Sequence, residues 1–442
     1  MEAEEVKKKA PAKRRARYKH VDRVEVYLWD KLMGAVALDP AYNFYAFGYA
    51  PDFINSGIQV APIHMLLREE PYLFADLPEL TFKRLPALLS DALPDDFGNA
   101  LIDRYMADHG ISADNVTPLD RLAYMSNRAM GALTFRPSRG PANHKATSLE
   151  LNKLVTEARA AVTGVFDDDD HSNAALRSII DVGTSAGGAR AKAVIAWNPA
   201  TKEIRSGQLG APDGFEHWLL KFDGMGKDSE LGSSGGYGRI EYAYYLMATA
   251  AGIEMSQCEL LHENGRAHFM TKRFDRSGNI RHHMQTLCAM SHLDYRKKGT
   301  NSYSQLFLTM QQLNLPYEQM EEAFRRMAFN VMGRNCDDHA KNFSFRLRLG
   351  QAWELSPAYD VSFAHNPKGE YTNQHLMSVN GKFKDITAAD LLTVADLFKI
   401  GTGRKVLTQV KDAINEWKTF ADKAGVSPAQ LEKISKQHLL LA

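Results

Sequence analysis

The sequence predicts an α+β protein: a mixed α/β N-terminal domain, then a two-lobed domain whose second lobe is mainly helical. Three observations predict it. Near the start, apolar and polar residues alternate with the period of half-buried strands. In the middle, a glycine-rich turn and an Asn-Gly hairpin sit among further strand patterns. From about residue 285 onward, the apolar spacing becomes three and four, the period of helices.

At 442 residues the chain has the length of two or three domains. With 44% hydrophobic and 24% charged residues it has the composition of an ordinary globular protein. Its net charge of +1 gives no overall bias towards nucleic acid or membrane. Cys258, Cys288 and Cys336 lie far apart without metal-ligand spacing, which fits a reducing compartment. No apolar run reaches membrane-span length and the first residues show no secretory leader, so the expected location is the cytoplasm, with no membrane partner.

Residues 1–20 carry Lys7, Lys8, Lys9, Lys13, Arg14, Arg15, Arg17 and Lys19 and read as a disordered basic tail. An N-terminal domain over 21–140 follows. It opens with a strand at Val24–Trp29 and more β pattern at Phe44–Tyr49. Helical patterns run from Leu85 to Leu93 and from Phe97 to Met106, and Gly131–Phe135 reads as a closing strand. The acidic run Asp167–Asp170 reads as a solvated loop.

A first lobe is expected over 141–275. A helix near Ser148–Val162 precedes the strand Ile179–Val182, which enters the turn Gly183-Thr184-Ser185-Ala186-Gly187-Gly188-Ala189. Lys192–Trp197 leaves that turn as a strand. Glycines there let backbone amides approach a polyphosphate, because no Cβ intervenes. In the next strand Trp218, Leu220 and Phe222 face one side while Leu219 and Lys221 face the other. A lysine inside an apolar strand needs a countercharge, which makes Lys221 a phosphate-ligand candidate. Ile240, Ala243, Tyr244, Met247 and Ala251 share a helical face, and Glu241 in the first turn is placed to pair with Lys221. Asn264-Gly265 joins two strands, and the second leads to Lys272-Arg273-Phe274, where a hinge would hold adenine.

The second lobe, 276–442, is mainly helical, with one stripe at Met320, Phe324, Met327, Ala328 and Val331 and core helices carrying Leu391, Leu392, Val394, Leu397, Leu407, Val410, Ile414 and Trp417. After Gly333 comes Asp337-Asp338-His339-Ala340-Lys341-Asn342, then Asp360. Asp337 can take a proton from a substrate hydroxyl, and Asn342 and Asp360 can hold the magnesium that neutralises nucleotide phosphates. The spacing of five matches a protein-kinase catalytic loop, although Arg334-Asn335-Cys336 replaces its usual opening. Glycine turn, strand lysine, helix glutamate, hinge, Asp-x4-Asn loop and distal aspartate stand in the order a kinase requires. A metal-dependent hydrolase on Asp337, Asp338 and His339 would need a further ligand cluster, and the other histidines show no ligand spacing. His282-His283 reads as a surface pair.

The chain also resembles the HipA-type serine/threonine kinase toxins of bacterial toxin–antitoxin systems. The resemblance rests on Ser185–Lys192, Lys221-Phe222, Lys272–Arg276, Asp337–Ser344 and Pro357–Asp360, and in the N-terminal domain on Leu93-Pro94-Asp95, Gly98, Leu101, Arg104 and Met130–Leu133. It implies an ATP- and Mg2+-dependent protein kinase with Asp337 as base, Asn342 and Asp360 on the metal and Lys221 on phosphate. Gly187, Gly188, Ala189, Arg190, Ala191 and Lys192 would line the triphosphate, and Lys272, Arg273 and Phe274 the adenine, with His339 and Tyr359 bordering the nucleotide. Ser185 would be the autophosphorylated serine, with Thr184 beside it. The implied partners are a helix-turn-helix antitoxin, operator DNA through that antitoxin, and a protein substrate such as an aminoacyl-tRNA synthetase. The alternative is a catalytically silent kinase-like co-repressor that binds the DNA-binding antitoxin.

Overall fold

A computed structural model of the chain describes residues 18–94, 96–141, 191–208, 210–224 and 235–441, with short pieces between 148 and 158 and at 227–228 and 232–233. Tail residues to 17, the expected strand Ile179–Val182, the acidic run 167–170 and the glycine turn lie outside the described residues. At the end of the tail, Tyr18 and His20 are tied down: both meet the Asp120 carboxylate, at 3.2 and 2.8 Å.

In the N-terminal domain the strand Arg23–Leu28 buries Val24, Val26 and Leu28 completely. It lies between Lys31–Asp39 and Leu133–Arg136 in a four-stranded antiparallel sheet, with Phe44–Tyr49 on the outer side of Lys31–Asp39. Helices Asp96–Asp108 and Pro118–Met125 accompany the sheet. Thr117 and Asp120 start the second of them with reciprocal side-chain-to-backbone bonds. The helix expected over 85–93 is one turn, Ala87–Ser90. Pro86 starts it, and Pro94 disfavours helical backbone just before itself.

The second sheet has six antiparallel strands, in the order Cys258–Glu263, Arg266–Lys272, Glu216–Lys221, Lys192–Trp197, Ile204–Ser206 and Ser148–Leu149. Ser148–Leu149 was expected to be helical. It instead pairs with Ile204 and Arg205, whose backbone groups would otherwise form a bare sheet edge, and helical residues follow at 153–156. The Asn264-Gly265 turn takes positive φ at both residues, 43° and 78°. Alternation along Glu216–Lys221 does what the pattern predicts. Trp218 and Leu220, with Phe222 just beyond, join a core shared with the N-terminal domain, while Leu219 and Lys221 line a cleft on the other face.

Helix Tyr237–Ala250 crosses from this sheet into the core of the helical lobe, where Tyr244 and Met247 meet Phe324, Phe329 and Trp417. Its start is fixed twice. The Asp223 carboxylate accepts the N–H groups of Gly236 and Tyr237 at 3.1 and 2.9 Å, satisfying donors a helix end leaves open. Gly238 lies so close to the neighbouring strand that a Cβ would stand 2.0 Å from the Ala267 carbonyl oxygen.

Helices Tyr303–Gln312, Tyr317–Met332, Ala388–Leu397, Gly403–Asn415, Trp417–Ala424 and Pro428–Ser435 make up the lobe. Leu397, expected in the core, is 65% exposed at the end of its helix. His282 and His283 are buried, against the expectation of a surface pair. His283 meets the Trp353 ring edge-on at 5.5 Å, and burial pushes its imidazole down to about 4, so it packs as a neutral aromatic ring. Sheets and helices are thus segregated as the α+β reading required. Among the described residues no helix is long and apolar enough to cross a membrane.

Candidate active site

A cleft of about 560 Å³ opens between the six-stranded sheet, the helical lobe and the N-terminal domain, a size suited to a small molecule. It gathers Lys221, Glu241, Lys272, Arg273, Phe274, Asp337, His339, Asn342, Tyr359 and Asp360 along its walls. Lys192 lies opposite Lys221 on the neighbouring strand, and Ala191 accepts the Phe222 N–H at 3.0 Å. Gly187, Gly188, Ala189, Arg190 and Ser185 lie outside the described residues.

Lys221 is the electrostatic centre. Its ammonium bonds Glu241 Oε1 at 2.5 Å and also Asp360 Oδ1. Burial works against the ammonium, but Asp360 and Glu241 outweigh it and hold the lysine charged, above its ordinary range. Burial likewise disfavours the Asp360 carboxylate, and Lys221 followed by Lys192 holds it below the ordinary carboxylate range. Two lysines side by side on adjacent strands would repel, so Asp360 is the countercharge that makes the pair tolerable. Asp360 reaches this position with φ at 53°, a conformation that Asp tolerates better than most residues.

The loop after helix Tyr317–Met332 turns at Arg334, also at positive φ, and delivers Asp337 to the cleft with half of its side chain exposed. His339 Nε2 is 3.7 Å from Asp337 Oδ1. Asn342 donates from Nδ2 to the Asp337 carbonyl at 2.7 Å. That bond fixes the amide plane and leaves Oδ1 as an atom that could ligate a metal ion. An amide oxygen from Asn342 and a carboxylate from Asp360, both lining this cleft, are hard donors that could hold a magnesium ion. At the hinge, Phe274 and Tyr359 stack at 5.7 Å. Lys272 lines the cleft, yet its ammonium bonds Glu216 at 2.6 Å, and the Arg273 guanidinium is committed to Asp275.

Two acidic residues beside the cleft, Asp275 and Asp91, were not legible as site components. Asp338, read with Asp337 and His339 as a metal ligand of the alternative hydrolase, takes a buried role instead. Asp338 turns away from Asp337 and into the protein, where Tyr303, His375 and the Leu376 N–H surround it. Burial opposes a charged His375, but Asp338 outweighs it and the imidazole is pushed up to about 10. Asp275 takes both Arg273 and Arg276 together with the Gly131 N–H of the N-terminal domain. Asp91, also from that domain, accepts the Thr286 N–H and hydroxyl at 2.7 Å each. Burial raises its carboxyl pKa, and Lys341 of the Asp337–Asn342 loop pulls it back down. Only the Asp-Asp doublet of the loop gave a signal in the sequence. Among the described residues no cluster of three or more His, Cys, Asp or Glu that could hold a metal ion is present.

Comparison with known proteins bears on the whole chain. A family model described as the HipA-like C-terminal domain matches residues 184–439, and one described as the HipA N-terminal domain matches residues 24–136. A search among curated proteins gave no match. Among solved structures, HipA of Shewanella oneidensis MR-1, determined with HipB and its operator DNA, is similar over 94% of this chain and 95% of its own. The TM-score is 0.65 at 15% identity, which shows a shared fold. Helicobacter pylori proinflammatory kinase CtkA matches 57% of this chain and 87% of its own, with 11% identity and a TM-score of 0.36, too low to build on. Two domain models in succession, over a fold that aligns from end to end, leave one assignment: the chain belongs to the HipA family.

Proposed function

We propose that the protein is an ATP- and magnesium-dependent serine/threonine protein kinase and the toxin of a toxin–antitoxin pair. The observation that carries this is Lys221 held by Glu241 and Asp360 in the same cleft as Asp337 and Asn342. Lys221 holds phosphate and Glu241 orients it. Asn342 and Asp360 hold the magnesium ion, whose chemistry is to neutralise charge on the phosphates. Asp337 takes the proton of the acceptor hydroxyl. Phe274 and Tyr359 flank the adenine. In the glycine turn, Ser185 accepts phosphate from the same enzyme, with Thr184 as its neighbouring alternative. A phosphoserine there adds about two negative charges where the triphosphate belongs, so it blocks nucleotide by repulsion.

The partner is a helix-turn-helix antitoxin, with operator DNA reached through that complex and a protein such as an aminoacyl-tRNA synthetase as substrate. The S. oneidensis structure, which contains HipB and operator DNA, supports such a partner. A silent co-repressor has no use for a lysine, a base and two metal ligands converging on one cleft.

The test is incubation with γ-labelled ATP and magnesium, followed by mass-spectrometric location of the label. Wild type is expected to label itself in the glycine turn, and Asp337→Asn to show none while binding Mg-ATP within about twofold of wild type. Asp360→Ala is expected to weaken Mg-ATP by about 100-fold, because the main protein charge on the metal is gone. A wild-type chain that binds no Mg-ATP in calorimetry sinks the proposal.

A further inference from the structure

The segment after Asp360 returns to the catalytic loop twice. First, Cys336 N–H bonds the Ala364 carbonyl and Ala364 N–H bonds the Arg334 carbonyl, each at 3.1 Å. The second return is the Asp338 carboxylate. Its Oδ2 meets His375 Nδ1 at 2.8 Å and the Tyr303 hydroxyl at 2.7 Å, while Oδ1 accepts the Leu376 N–H at 2.7 Å. The Asp338 side chain is fully buried and that of His375 is 3% exposed. Asn330 donates to the Tyr303 oxygen at 3.0 Å, so the far side of the phenol is fixed as well. Immediately beyond, Met377–Ser378 runs parallel to Asn301–Ser302 and closes the segment into the lobe.

Between the two returns the chain swings out to the cleft and places Tyr371 on its wall, with Leu376 following at the second anchor. Lys298 supports the excursion from the helical lobe. It donates to the Glu370 carbonyl at 2.7 Å and lies over the Tyr371 ring at 5.0 Å. In kinases that switch, the segment after the metal-binding aspartate becomes ordered when phosphorylation creates a surface ion pair. Here the corresponding pair is a side-chain carboxylate and an imidazole sealed inside the protein. A buried contact of this kind is formed on folding, and no later modification is needed to make it.

We propose that Asp338 and His375 are positioning residues that hold residues 361–378 as a preformed acceptor-side wall of the cleft, without phosphorylation of that segment. The functional half of this statement rests on the kinase reading above. The structural half does not, and the experiment separates them. Hydrogen exchange is followed by mass spectrometry on the full chain: wild type, phosphatase-treated wild type, Asp338→Asn, His375→Phe and His375→Gln.

Peptides within 361–378 are expected to exchange at least about tenfold faster in Asp338→Asn and His375→Phe, while peptides from 317–332 keep their wild-type rates. His375→Gln retains an N–H for Asp338 and is expected to restore most of the protection, a rescue that simple loss of packing would not give. Phosphatase treatment is expected to leave the exchange of peptides within 361–378 unchanged. Mg-ATP affinity by calorimetry is expected to stay within about twofold of wild type in all variants, since the pair serves the acceptor side. If Asp338→Asn and His375→Phe also loosen 317–332, the chain is globally destabilised and His375→Gln decides. Wild-type exchange in the variants, loosening of 361–378 by phosphatase, or no rescue by glutamine overturns the proposal. A wild-type chain that binds no Mg-ATP overturns the kinase reading alone and leaves the exchange result standing.

Discussion

Asp275 and Asp338 are both fully buried carboxylates beside one cleft, and they are neutralised by different chemistry. Asp275 receives Arg273 through two parallel bonds at 2.9 and 2.8 Å, Arg276 at 2.7 Å, and the Gly131 N–H at 2.7 Å. Burial opposes its charge, but Arg273 and Arg276 hold it well below the carboxylate range. Burial and Arg273 push the Arg276 guanidinium down to about 8 while Asp275 pulls it back up. A delocalised guanidinium bonded to a buried carboxylate nevertheless keeps its proton far more firmly than an imidazole, so this cluster holds its charge longer than the Asp338 cluster. It also joins two domains. Arg281 nearby donates to the carbonyls of Asn127, Ala129, Gly131 and Leu133, which fastens the hinge turn to an N-terminal-domain loop. Asp338 relies on a histidine, a phenol and one amide, all within the helical lobe. One cluster fixes where the domains meet, and the other fixes a loop whose charge balance a proton can change.

The largest difference is expected on removing the carboxylate charge. Asp275→Asn leaves two buried guanidinium groups facing each other with no anion. Breaking a buried pair in this way costs about 3–5 kcal/mol. Asp338→Asn is expected to cost less, about 1–3 kcal/mol, because His375 can then release its proton and become a neutral ring. Urea-unfolding midpoints of the two variants measure the gap. Equal losses would break the distinction between a firmly held and a relievable cation.

A pH series sharpens the same comparison. Burial opposes a charged His375, but Asp338 pushes its imidazole up to about 10 from the ordinary 6.5. Its contribution is therefore complete below 6.5 and is lost as pH rises through about 10. The Asp275 carboxyl is lowered from 3.8, so its contribution is present above 3.8 and is lost only as pH falls further. The stability gap between wild type and His375→Gln is expected to shrink steadily between about pH 7 and pH 10.5, by up to about 4 kcal/mol if the whole shift is realised. Over the same range the gap to Asp275→Asn should hold. A constant gap for both variants would show that His375 is not charged in the folded protein.

Sequence and structure agree where the informative contact is local. Lys221 stood out because alternation in its own strand put a charge on a buried face, and Glu241 because it begins the following helix. The two aspartate clusters could not be read this way. Asp338 finds its partners 35 and 37 positions away at Tyr303 and His375, and Asp275 finds Gly131 at 144 positions. No periodicity links such residues. Only tertiary packing brings them together. His282 and His283 failed for another reason: an imidazole is polar in composition but packs as an aromatic ring once neutral, and nothing nearby in the sequence says which state applies. The single turn at Ala87–Ser90 is set by its flanking prolines and by packing, not by the apolar pattern that suggested a longer helix.

The smallest expected effect belongs to Lys272, the hinge residue whose charge resembles neither cluster. Its ammonium meets Glu216 at 2.6 Å, but the two side chains are 41% and 31% exposed, so water screens the pair. Exposed ion pairs contribute little, because ordering two long side chains offsets most of a weak Coulomb attraction. The backbone N–H of Lys272 bonds the Gln257 carbonyl at 2.8 Å whatever side chain it carries. Lys272→Ala is therefore expected to shift stability by less than about 0.5 kcal/mol and to move Mg-ATP affinity by less than about threefold. Unfolding midpoints and calorimetry on the same preparation give both numbers. A tenfold loss of nucleotide affinity without loss of stability would instead place the Lys272 ammonium on the nucleotide, and Glu216 would then be the group that releases it when ATP arrives.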